Sequence, residues 1–155
     1  MRTDTPTPLV LWVDSATIFT PQNPVIGWAY LLVHHDQEVA WASGTILPHI
    51  VAPLQAHGAA LLAMKQGLRT CLALAHRQVT LCYDNLALFY WITGVWNSTH
   101  PLIQDVRDLI VAQDIDLTWH KVSPHSALPF HLAVDRLAQE AHKTALRTPS
   151  ENMHT

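Results

Sequence analysis

From residue 9 to residue 13 the chain reads Leu-Val-Leu-Trp-Val, without a polar gap, and then turns to Asp14, Ser15 and Ala16. A half-exposed strand would alternate and an amphipathic helix would leave polar gaps, so the run predicts a strand covered on both faces. Residues 25–33 predict a second strand. Residues 38–47 predict a third, with Val39, Trp41, Ser43 and Thr45 on one face, and the polar link 34–37 joins the two as an antiparallel hairpin. At residues 54–74 the pattern becomes helical, carried by Ala59, Ala60, Leu61, Leu62, Ala63, Met64 and Leu68. Residues 78–83 form a short β-rich run that delivers Asp84 and Asn85 at its exit. A helix is expected over 86–96, and another to residue 112 with Thr99 as N-cap and Pro101 in its first turn. Residues 115–122 alternate as a fifth strand with Ile115, Leu117, Trp119 and Lys121 on one face, and a final helix is expected over 130–146. The order β-β-β-α-β-α-α-β-α predicts an α/β domain at 8–146 with one mixed sheet, an antiparallel edge and helices on its faces. Residues 1–7 read as a disordered lead-in and 147–155 as a polar tail.

Composition narrows the partners. With 155 residues, 49% hydrophobic and 14% charged, the chain is apolar, yet no run approaches the roughly 18 apolar residues of a membrane span. Nine Lys and Arg against 12 Asp and Glu give a net charge of −3, and the basic residues form no cluster, so there is no ready electrostatic footprint for nucleic acid. Two cysteines make no framework, and the N-terminus lacks the apolar core of a secretory signal; a reducing setting, intracellular or virion, is expected. The 11 histidines follow no metal-ligand spacing and read mostly as surface or packing residues. Trp12, Trp28, Trp41 and Trp119 fall on strands and are expected in the core. Phe89, Tyr90, Trp91 and Trp96 make an aromatic stretch that could dock a partner domain or a second copy.

Taken alone, Asp14 reads as an ordinary turn residue rather than as chemistry. Its context changes that. Val13-Asp14-Ser15-Ala16 at the first strand, Tyr83-Asp84-Asn85 after the fourth, Val134-Asp135-Arg136-Leu137-Ala138 in the last helix and Ser123-Pro124-His125-Ser126 in the loop before it resemble, in this order, the ribonuclease H family in its retroviral reverse-transcriptase branch. The resemblance implies an RNase H-like five-stranded mixed sheet: a β1-β2-β3 antiparallel meander, then αβααβα. It implies metal-dependent cleavage of RNA in RNA:DNA hybrids, with Asp14, Asp84 and Asp135 as catalytic carboxylates holding Mg²⁺ or Mn²⁺. It also implies a role for His125 in proton transfer or product departure, against the plainer reading of a solvent-facing loop histidine.

The resemblance breaks at one position. The family carries a Glu in the first helix; the apolar register puts Ala60 there, a shifted frame puts His57 there, and residues 48–74 contain no Asp or Glu at all. Two divalent ions held by clustered carboxylates need that wall, so cleavage is expected to be strongly reduced or absent. Residues 92–104 also contain no Lys or Arg, so the basic handle of some family members is missing. The isolated chain is expected to bind hybrid weakly, as retroviral members do that borrow affinity from a neighbouring polymerase domain. The rival expectation is a nuclease-derived pseudoenzyme kept as an interaction or homodimerisation module through residues 89–96.

Overall fold

In the computed structural model, residues 7–19, 24–124 and 126–145 are described; the proposed lead-in up to residue 6, the tail from 146 and His125 lie outside them. Strands β1 (Leu9–Ile18), β2 (Val25–His34) and β3 (Gln37–Ile46) form the meander, followed by α1 (Ala56–Ala73), β4 (Gln78–Tyr83), α2 (Leu86–Thr93), α3 (Pro101–Ala112), β5 (Asp116–Lys121), α4 (Pro129–Gln139) and the short α5 (Ala141–Ala145). The sheet order is β3-β2-β1-β4-β5. β1 runs antiparallel to β2 and parallel to β4, and β4 runs parallel to β5. This is the expected mixed α/β sheet.

Strand period explains the two cores. Leu9, Leu11 and Val13 point to the face covered by α1, α2 and α3, where Leu61, Met64, Leu68, Leu88, Ile103 and Val106 bury them. Trp12, with Val10 and Ala16 at the margin, points to the opposite face, covered by α4 through Val134 and Ala138. β1 is covered on both faces, as its unbroken apolar run requires. Two glycines let the layers close: a Cβ at Gly27 would lie 2.0 Å from the carbonyl oxygen of Ala138 in α4, and one at Gly67 of α1 would lie 2.4 Å from Leu11 Cδ1.

The structure corrects several expected boundaries and placements. α2 ends at Thr93, three residues short, where Gly94 adopts a left-handed conformation. His100, not Thr99, caps α3: its Nδ1 accepts from the Leu102 amide at 3.1 Å. The single last helix is two, because the chain turns at Glu140. Trp41 is not a core residue but 57% exposed on edge strand β3, whereas Trp12 is buried and Trp28 and Trp119 pack against the core. No helix among the described residues is long and apolar enough to cross a membrane.

Candidate metal centre

β1 does not end at Asp14. Its pairing with β4 runs from Leu9 to Trp12 and stops there, while its pairing with β2 continues to Ile18. Beyond Trp12 the edge of β1 facing β4 is therefore open, and Asp14 is the next residue on the α4 face. β4 repeats the device: Cys82 points to the same face, and Asp84, two residues on, follows the end of the strand. From above, α4 presents His131, Val134, Asp135 and Ala138, at i, i+3, i+4 and i+7, along one side. Val134 and Ala138 are buried against the sheet. His131 and Asp135, one turn apart, reach the carboxylates.

The three carboxylates expected from the sequence do line one cleft, of about 290 Å³, together with Ser15, Ser126 and His131. Asp14 is 7% exposed, and the backbone N–H of Ser15 donates to its Oδ1 at 2.9 Å. Burial first and then the negative charge of Asp84 push its carboxyl up to about 8, against the opposing Ser15 amide and with a lesser push from Asp135. An acid so raised is protonated at neutral pH until a cation arrives. Gln139 Nε2 donates to Asp135 Oδ2 at 2.8 Å.

His131 was missed by the sequence reading. It is 3% exposed; Asp14 and His131 are the buried charged or polar side chains of the described residues. Its Nε2 lies 3.2 Å from Asp84 Oδ2 and 3.9 Å from Asp14 Oδ2, and its Nδ1 is hydrogen-bonded to Ser126 Oγ at 2.5 Å. Trp12 stacks on the ring at 6.1 Å between centroids. Asp14, Asp84 and His131 bring ligand atoms within 4.8 Å of one another, the single such group among the described residues. The available signal was its position four residues before Asp135, on the same helix face.

The wall toward α1 holds no carboxylate. Ser15 Oγ donates to the carbonyl of Ala56 at 2.8 Å, and Asn85, whose Oδ1 caps α2 through the Ala87 amide, donates from Nδ2 to His57 Nδ1. Ala60, one turn beyond Ala56, is buried in the main core. His57 is exposed and meets the edge of Trp91.

No protein-family profile and no curated protein matches the sequence. Solved structures do match. RNase H1 of the halophilic archaeon Halobacterium salinarum NRC-1 is similar at a TM-score of 0.63 and 19% identity, over 89% of this chain and 99% of that one. An RNase H1 isolated from compost by a metagenomic approach, in complex with RNA/DNA hybrid, is similar at 0.65 and 14% identity, over 90% and 99%. The foamy viral protease-reverse transcriptase, in complex with RNA/DNA hybrid, is similar at 0.67 and 14% identity over 93% of this chain, which spans 22% of that longer one. Strand order, helix placement and these matches agree: the chain has the RNase H-like fold.

Proposed function

We propose that this chain is a ribonuclease H domain of the retroviral type, directed at RNA:DNA hybrids, metal-dependent, and impaired in turnover. The observation that carries the proposal is the convergence of Asp14, Asp84 and Asp135 on one cleft whose α1 wall offers only neutral groups. Two similar structures hold RNA/DNA hybrid, which supports the substrate class.

The donor set fits a divalent cation. The carboxylates are oxygen donors of the kind Mg²⁺ and Mn²⁺ take, and the raised pKa of Asp14 is what uncompensated, buried carboxylates adopt. Bound there, such ions would stabilise the charge on a leaving oxygen and ease ionisation of water. Asp14 must release its proton to serve as ligand. The Ser15 amide fixes its Oδ1, leaving Oδ2 toward the cleft. Asn85, as the cap of α2, fixes the turn that carries Asp84. From α1, no residue in 48–74 can add negative charge, so the second ion of a two-metal centre is underbound.

A hybrid-cleavage assay with Mg²⁺ or Mn²⁺ tests this. Expected is slow cleavage that disappears in Asp14→Asn and rises by about tenfold or more in Ala60→Glu, because helix side chains lean toward the N-terminus and a Glu there would cover the Ala56 turn beside Ser15. Fast turnover of the native chain would overturn the impairment. No cleavage in any variant would favour the second reading, an interaction module. For that reading the supporting observation is the exposure of Val95 and Trp96, 63% and 44%, at the end of the Tyr90–Trp96–Trp91 aromatic contacts.

A further inference from the structure

We infer that His131 is itself a metal ligand, and that it turns the centre toward a first-row divalent ion, Co²⁺ or Zn²⁺ above all and Mn²⁺ to a lesser degree, in preference to Mg²⁺. This rests on the reading above only in that the cleft binds a divalent cation.

Spacing is the first argument. Donor atoms about 2.0–2.2 Å from a shared ion stand about 3–4 Å from one another. The Nε2 of His131 lies 3.2 Å from Asp84 Oδ2 and 3.9 Å from Asp14 Oδ2. Support of the ring is the second. In the metal-free chain Nε2–H donates to Asp84 and the Ser126 hydroxyl donates to Nδ1. A metal needs the other tautomer, with the proton on Nδ1 and the Nε2 lone pair facing the cleft. Ser126 serves it equally, because a hydroxyl both donates and accepts, so the outer partner of a metal-bound histidine is already in place. Trp12 stacked on the ring and the burial of His131 hold its plane. The third argument is donor chemistry. Where α1 adds no oxygen, the buried donor that remains is an imidazole nitrogen, which suits first-row transition ions and Zn²⁺, while Mg²⁺ favours oxygen throughout.

The test is metal binding by the full chain, without a histidine tag, using Mg²⁺, Mn²⁺ and Co²⁺ in calorimetry and the Mn²⁺-loaded protein in pulsed electron paramagnetic resonance. Expected are a Co²⁺ affinity at least about tenfold above that for Mg²⁺, with Mn²⁺ between the two, and a nitrogen modulation on bound Mn²⁺. His131→Asn should remove the modulation and most of the preference, weakening Mn²⁺ and Co²⁺ binding far more than Mg²⁺ binding. Ser126→Ala, which keeps the imidazole, should weaken Co²⁺ binding by about tenfold, the usual effect of losing an outer partner. Should His131→Asn fail to fold, ¹⁵N-histidine labelling of the native chain replaces it: the modulation must change isotope and must vanish in Asp14→Asn. Equal affinity for Mg²⁺ and Co²⁺, or a nitrogen signal that survives Asp14→Asn, overturns the role of His131 and leaves the proposed nuclease centre standing. Absence of binding by every ion overturns both.

Discussion

Asp14 carries the largest electrostatic cost in the cleft, and its sign fixes how stability follows pH. Its carboxyl titrates near 8 in the folded chain against 3.8 unfolded, so between about pH 4 and pH 8 the folded state holds a proton that the unfolded state has lost. Unfolding then releases a proton, and stability of the metal-free chain falls as pH rises through that window and levels off above it. Thermal melts in chelator should show a Tm at pH 8 below that at pH 5, and Asp14→Asn should flatten the dependence and raise the pH 8 value. A divalent ion should recover most of the loss at pH 8 and little at pH 5, since at pH 5 it must first displace the proton. A Tm of the native chain that climbs from pH 5 to pH 8 without metal would refute the burial argument. The same residue marks how far the sequence could be read. Asp14 and Asp84 stand out because each follows an apolar strand run, and Asp135 because Val134-Asp135-Arg136-Leu137-Ala138 resembles a motif of the ribonuclease H family. His131 stands in no ligand spacing with Asp84, 47 residues away, and a histidine between Phe130 and Leu132 looks like packing until the face it shares with Asp135 is known.

α4 is the element on which the cleft depends, because it brings His131 and Asp135 down on carboxylates from two strands. Its height over the sheet is set by Gly27 of β2, where a Cβ would meet the Ala138 carbonyl at 2.0 Å. The obstacle is backbone rather than a side-chain tip, so it cannot rotate away. Gly27→Ala should destabilise the chain by about 1–3 kcal/mol, as overpacking does. It should also lift α4 and weaken divalent binding, although residue 27 touches no ligand. A calorimetric titration that leaves metal affinity unchanged while Tm falls would show that the cleft tolerates the shift. Elements with a strong apolar pattern were legible, β4 to the residue and β1 and α1 to within two. Other ends were less so, since they are decided by contacts no local pattern encodes: the His100 ring taking the place of a Thr99 cap, or the turn at Glu140 dividing the last helix. Trp41 misled for a similar reason. It lies opposite Leu31 on the α4 side of edge strand β3 and still stays 57% exposed, while Ala40 and Ala42 on the other side pack against the main core.

For the molecule as a whole, charge sets what the fold can hold. The cleft is lined by three carboxylates and no Lys or Arg, within a chain of net charge −3. Lys65 and Arg69 lie in a different groove with Asp105 and Asp108, and Lys65 is already paired with Asp105 at 3.1 Å. A polyanion approaching the cleft therefore meets repulsion that only bound metal relieves. Few counterions would be released on binding, so the logarithm of hybrid affinity should fall with the logarithm of salt at a slope of only about −1 to −2, with a Kd in the micromolar range or weaker. Filter-binding titrations from low to physiological salt, with Mn²⁺ present and with chelator, measure both. Nanomolar binding at physiological salt, or a steep slope, would mean that a basic surface has been overlooked. If the slope is shallow, affinity must come from elsewhere. A covalently attached nucleic-acid-binding domain would present the hybrid at millimolar effective concentration, enough to raise apparent affinity by about 10²–10⁴ without a new contact in the cleft.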